Sequence, residues 1–138
     1  MSKTYSFSTI RKKIREFGKK INAPSHLLSV RSTGDGFGNP HIEIGKNEYF
    51  YVVTERNMEF ERRKTNNFDK LLYWLLSDIV FIMASKFELE NRNPDEDSRR
   101  QLFAKEINLM EKIDPKFVKW KKEEISKILA NNPYEDEQ

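Results

Sequence analysis

Asp78 interrupts an apolar run, LLYWLLSDIVFIMA over residues 71 to 84, in which Ser77 is the only other polar break. A carboxylate in such surroundings either keeps its proton, as a general acid would, or is neutralised by a donor from elsewhere in the fold. On a helix its neighbours one turn away are Trp74, Leu75, Phe81 and Ile82, so its own segment supplies no base. Acid–base catalysis needs a second titratable group and a cleft, and the sequence offers no matched pair. An arginine from another element, or a set of backbone or hydroxyl donors, is expected instead, with Arg56, Arg99 and Arg100 as the candidate partners.

The other constellations with chemical potential weaken on inspection. GDGFG, residues 34 to 38, has the glycines of a phosphate-cradling loop, but a proline and a β-pattern follow where a helix would have to start. His41 and Glu43 form an HxE pair, and His26 is the only other histidine, too few ligands for a metal site. Glu88 and Arg92 stand four apart as a helical ion pair. In DEDSRRQLF, acids at a helix start and arginines one turn later are what capping and the helix dipole favour. Neither a metal nor a cofactor is expected.

Charge is distributed unevenly over the 138 residues. The net charge is +3, yet residues 1 to 31 hold eight Lys or Arg against one Glu, a local +7 that leaves −4 for the remainder. IRKKIREFGKKI, with Arg31 beyond it, is the stretch that would meet phosphates, so a basic nucleic-acid-binding module is the alternative function. No recognisable base-reading motif stands behind it.

Composition narrows the class. Ten Phe, five Tyr and two Trp supply burial that disordered chains lack, and the length suits a single domain over 1–138. Cysteine is absent, which excludes disulfides and thiol nucleophiles and favours a cytoplasmic home. The N-terminus has no apolar core of a secretory signal, and the run around Asp78 is too short and too interrupted to span a membrane.

The elements that must position these groups are legible from periodicity. Ser8 can cap a helix with apolar Ile10, Ile14, Phe17 and Ile21, ended by Pro24. HLLSVRS is a candidate strand, and TGDGFGNP is turn chemistry. From His41 the period becomes two: Ile42 and Ile44, a GKN turn, then EYFYVVTE, and Arg56-Asn57 turning the chain into MEFERRK, giving an antiparallel sheet of three or four strands. A long helix runs from about Asp69 to Glu90, apolar all round and therefore expected to be the buried centre. Asp95 or Asp97 caps a second helix and Asp114-Pro115 opens a third. Residues 1–7 and 131–138 are expected to fray. The class is α+β, with an N-terminal helix, a small antiparallel sheet, and a C-terminal half of three helices packed around the buried one.

The order EYFYVVTERNMEFERRKT, FDKLLYWLLSDIVFIMASKFELENR, DEDSRRQLF resembles the bacterial immunity protein family numbered sixty-three, found beside polymorphic toxins. The similarity covers about Ile42 to Leu129, and its most specific parts are Glu55-Arg56 with Glu59 and Thr65, LLYW, Met83-Ala84, ELENR, and Asp97 with Arg99-Arg100. Where the family pattern has glycine after the Glu-Arg pair this chain has Asn57, the next most permissive residue for a turn. The resemblance implies a non-enzymatic protein that blocks a cognate toxin by stoichiometric binding; a monomer is expected. Glu55, Arg56 and Glu59, with Arg11, Lys12 and Lys13 on the basic helix, are the candidate contacts. Asp78, Glu88, Arg92, Asp97, Arg99 and Arg100 are expected to form an internal charge network.

Overall fold

The computed structural model describes residues 4–136. Its elements follow in the order α1 (Phe7–Lys20), a 3-10 turn (Ser25–Leu28), β1 (Phe37–Ile44), β2 (Tyr49–Glu55), β3 (Met58–Thr65), α2 (Phe68–Glu90), α3 (Ser98–Ile113) and α4 (Pro115–Asn131). The class is α+β, and the antiparallel sheet has three strands in the order β1-β2-β3. Two compact units divide the chain: Met1–Gly18 with Pro24–Leu76, and Lys19–Ala23 with Ser77–Gln138.

In the first unit α1 starts two residues earlier than its sequence suggests. The Ser6 hydroxyl accepts the Thr9 N–H at 3.3 Å and its carbonyl accepts the Ile10 N–H at 3.1 Å, so Ser6, not Ser8, satisfies the first turn. Ile10 and Ile14 are buried. A Cβ at Gly18 would stand 2.5 Å from Leu28 Cδ2, so only a glycine lets the two approach so closely. That approach explains a correction: HLLSVRS is not a strand. Pro24 sets the entry, its carbonyl accepts the Leu27 N–H at 3.0 Å, and one 3-10 turn delivers Leu28 against α1.

The sheet follows. β1 begins at Phe37, four residues before His41, because Gly36 and Gly38 adopt positive φ of 77° and 87° and a register shift between Phe37 and Pro40 absorbs the proline. The Arg31 carbonyl accepts the Ile42 N–H at 2.9 Å and so occupies part of the outer edge of β1. On the inner face Ile42, Tyr49 and Tyr51 are buried. The first turns of α2 meet them: Trp74 lies edge-on to Tyr51 at 6.1 Å and Phe68 lies 5.8 Å from Tyr49. Leu71, Leu72, Tyr73, Leu75 and Leu76 are withdrawn from water, each worth about 1.5–3 kcal/mol of transfer free energy. The Tyr5 N–H donates to the Tyr49 hydroxyl at 2.6 Å and the Thr4 hydroxyl to the Gly45 carbonyl at 3.0 Å, so residues 4 to 6 are held where fraying was expected.

In the second unit Ile79, Val80, Ala84 and Glu88 of α2 are buried, but Phe81, Ile82 and Leu89 are exposed. The expectation of a helix buried all round is therefore corrected, and Asp78, on the open side, is half-buried rather than sealed. Asp97 caps α3 by accepting the Arg99 N–H, and Asp114 caps α4 by accepting the Lys116 N–H at 3.0 Å with Pro115 in the first turn. The Lys20 ammonium donates to the Ile113 carbonyl at 3.0 Å, a cation at the negative end of α3.

The tail is tied down. Asp97 accepts the Glu135 N–H at 2.8 Å, Arg99 donates to the carbonyls of Asn132 and Pro133 at 2.8 Å each, and Arg100 grips Asp136 at 2.9 Å through two nitrogens. Fraying from residue 131 is thus replaced, up to 136, by a strap across the start of α3. The part of that expectation falling on residues 1–3, 137 and 138 lies outside the described residues.

Candidate protein-binding surface

The end of the β2–β3 hairpin is built by conformations that few residues adopt. Arg56 and Asn57 both have positive φ, 51° and 65°, between the paired residues Glu55 and Met58. A two-residue turn of this hand matches the twist of the strands. Asparagine tolerates it; arginine carries strain of about 1 kcal/mol or more. The Arg56 N–H donates to the Gly36 carbonyl at 3.1 Å and so anchors the turn to the loop before β1. That loop is itself ordered by Asp35, whose carboxylate accepts the Phe37 N–H at 2.9 Å and the Asn39 amide at 2.6 Å and is held below the usual carboxylate range, first by Asn39.

Three large apolar side chains stand in water here: Phe37 is 85% exposed, Met58 65% and Phe60 63%. Register explains two of them. Phe37 pairs with Glu55, which pairs in turn with Met58, a row across the three strands at the sheet's end. Thr54 pairs with Glu59 and Val53 with Glu61, so Phe60 is the extra residue of a bulge, a device that re-aims a side chain. Glu55 and Arg56 are exposed beside them.

Behind this tip the charges of β3 are neutralised within the sheet. Arg62 donates to Glu59 at 2.8 Å and to Glu43 at 3.0 Å, over the Phe50 ring at 5.4 Å. The Arg62 guanidinium is the main cause that holds both carboxylates below their usual range, and they in turn push Arg62 up. Arg63 donates to Glu61 at 2.7 Å and lies 4.4 Å over Tyr51. Both guanidinium groups therefore lie over aromatic rings. His41, buried, sets its Nε2 3.0 Å from Glu43 Oε2.

The other sequence candidates are dispersed. Arg11 spends Nε and one terminal nitrogen on the Val30 carbonyl, at 3.2 and 3.1 Å, and so anchors the segment after the 3-10 turn. Lys12 and Lys13 are exposed, Lys13 lying 3.7 Å from Glu16. Glu88 and Arg92 pair at 2.6 Å, Arg99 grips Asp97 at 2.8 Å, and Arg100 grips Asp136. Arg99 and Arg100, the candidates for neutralising Asp78, thus engage acids at the start of α3 and in the tail. One network was expected; instead Glu88–Arg92 is one pair, while Asp97, Arg99, Arg100 and Asp136 form a second group, joined by the Asp97 N–H donating to the Asp136 carboxylate at 3.0 Å.

Sequence reasoning missed the charges that are most deeply buried. Lys121 Nζ lies 3.7 Å from Glu106 Oε2 and 3.3 Å from Glu124 Oε1, and both Lys121 and Glu106 are almost wholly buried. The signal was present: Lys121 falls four residues from both Phe117 and Ile125, and Glu106 three after Phe103 and four before Met110, each on an apolar stripe. Among the described residues no group of three or more His, Asp or Glu is placed to hold a metal ion, and no helix is long and apolar enough to cross a membrane.

A family model described as Immunity protein 63 matches residues 45–127, which takes in β2, β3, α2, α3 and most of α4. No curated protein and no solved structure gives a significant match.

Proposed function

Because the chain belongs to the immunity protein 63 family, we propose that it binds a cognate bacterial toxin and neutralises it by stoichiometric contact, without catalysis, in the cytoplasm. The exposure of Phe37, Met58 and Phe60 at one end of the sheet carries the assignment of the contact. Solvated aromatic and methionine side chains on a rigid tip are the residue types that dominate binding energy once a partner desolvates them. Glu55 and Arg56 supply the polar margin of that contact, and Glu59 is held back by Arg62 to frame it. The strained Arg56 turn and its bond to Gly36 pre-order the tip, which reduces the entropy lost on docking.

Co-purification of the chain with the product of the adjacent gene tests the reading. One copy of each protein per complex is the expected result, and absence of association counts against it. Within the complex, Phe60→Asp with Met58→Asp is expected to lower affinity by at least about tenfold, both side chains being exposed, with circular dichroism as the check on folding.

A further inference from the structure

Strand β3 lies at the edge of the sheet, and the register names the residues whose backbone faces outward there. The Ile42 N–H turns away from β2 to the Arg31 carbonyl at 2.9 Å, so Ile42 and its cross-strand partner Tyr51 exchange no ladder bonds. Tyr51 therefore directs its N–H and carbonyl the other way, to its partner Arg63 on β3. By alternation Arg62 and Lys64 direct theirs away from the sheet, where no strand pairs with β3. Among the described residues no backbone carbonyl outside the sheet accepts either N–H. Met58 to Arg62 and Lys64 are exposed, so the edge stands in water.

Open edges are usually guarded by charged side chains. Here Arg62 is drawn over one sheet face, to Glu43 and Glu59 above Phe50, and Arg63 over the other, to Glu61 above Tyr51. Lys64, 68% exposed in its side chain and 3.9 Å from Glu48, is left as a guard.

We propose that an extended segment of the toxin adds to this edge as a further strand, bonded through the backbones of Arg62 and Lys64. The inference rests on the reading that the hairpin tip meets the toxin, and it names how the partner is held. Outward N–H and carbonyl groups at every second residue are matched by another extended backbone. Met58 and Phe60 lie on the same strand, so one partner covers both the edge and the tip. A second copy of this chain fits the edge poorly. The bulge at Phe60 confines regular pairing to the residues after it, and two antiparallel copies centred there set Arg62 of each opposite Lys64 of the other.

Amide hydrogen exchange tests the proposal, on the chain alone and in complex with the product of the adjacent gene. Alone, the Arg62 and Lys64 N–H groups are expected to exchange faster than that of Arg63 between them; in the complex both should slow by at least about tenfold. Lys64→Pro removes the outward donor at an edge position where proline is tolerated, and should weaken the complex at least about tenfold more than Lys64→Ala, which keeps the N–H. Circular dichroism checks that both variants fold. A complex in which the two N–H groups exchange as fast as in the free chain overturns the proposal and leaves the tip contact standing, and equal losses from the two variants do the same. No complex at all removes both readings. Protection that grows with the concentration of the chain alone gives the edge to a second copy and overturns the proposal as well.

Discussion

Lys121 reaches from α4 to within 3.7 Å of Glu106 on α3, and both side chains are almost wholly withdrawn from solvent. Burial pushes the Glu106 carboxyl above its ordinary value, and the Lys121 charge opposes that rise. The pair is a structural commitment: Glu106 without Lys121 is a carboxylate left in an apolar interior, whereas Lys121 without Glu106 keeps Glu124 at 3.3 Å. Replacing Lys121 by Met while keeping Glu106 is expected to destabilise the fold by roughly 3 kcal/mol, read from chemical denaturation. Replacing both, Lys121→Met with Glu106→Leu, should recover most of the loss. A double variant no better than the single one would mean that the pair is not coupled.

The same carboxyl gives a pH dependence with a definite sign. A folded-state value above the unfolded one means that the native chain binds more protons, so this contribution to stability falls as pH rises from the ordinary value near 4.5 through the raised one. Glu106→Gln should flatten that part of the stability profile in thermal melts taken across the window.

Asp97 and Asp136 carry the opposite sign. Arg99 above all, then the backbone N–H groups of Glu135 and Arg99, hold Asp97 well below the carboxylate range, and Arg100 lowers Asp136. Their contribution is complete above the unfolded carboxylate value and is lost as acid takes the pH down through the folded one. Asp97→Ala should release residues 132–136, seen as faster amide exchange and proteolysis of the tail at neutral pH.

Arg56 separates folding from contact. Its φ of 51° is strained for arginine and free for glycine, so Arg56→Gly should leave the melting temperature unchanged or slightly higher. If the hairpin tip meets the toxin, the same change weakens the complex. Arg56→Val, β-branched at positive φ, is expected to lower the melting temperature by several degrees.

The basic helix offers the competing function a clean trial. A phosphate-binding role predicts binding to DNA or RNA that falls steeply with salt and is weakened by charge reversal at Lys12 and Lys13. Arg11 already serves the Val30 carbonyl, and α1 lies outside the residues that the family model matches. The expected outcome is toxin binding unchanged by Lys12→Glu with Lys13→Glu, measured by titration calorimetry.

Local pattern determined much of this molecule. The period change at His41, the permissive Asn57 in the turn after Glu55, and the caps at Asp97 and Asp114 each act over a few residues, and a few residues are all that sequence needs to express them. The short elements around proline and glycine were less legible. HLLSVRS has the composition of a strand, yet the Pro24 entry and the room at Gly18 turn it into a 3-10 turn, and the choice depends on a residue ten positions away.

What only the tertiary structure decided is where the charges and the open faces lie. A stretch as apolar as α2 says that burial is favourable, but not which side its neighbours leave uncovered, so Asp78 was expected inside while Phe81 and Ile82 stand in water. The buried ion pair instead joins Glu106 to Lys121, fifteen residues apart on two helices, and Arg99 and Arg100 turn to Asp97 and the tail. Ion pairing depends on distances in space, and desolvation on everything packed around a group. Neither is a property of a residue's immediate neighbours in the chain.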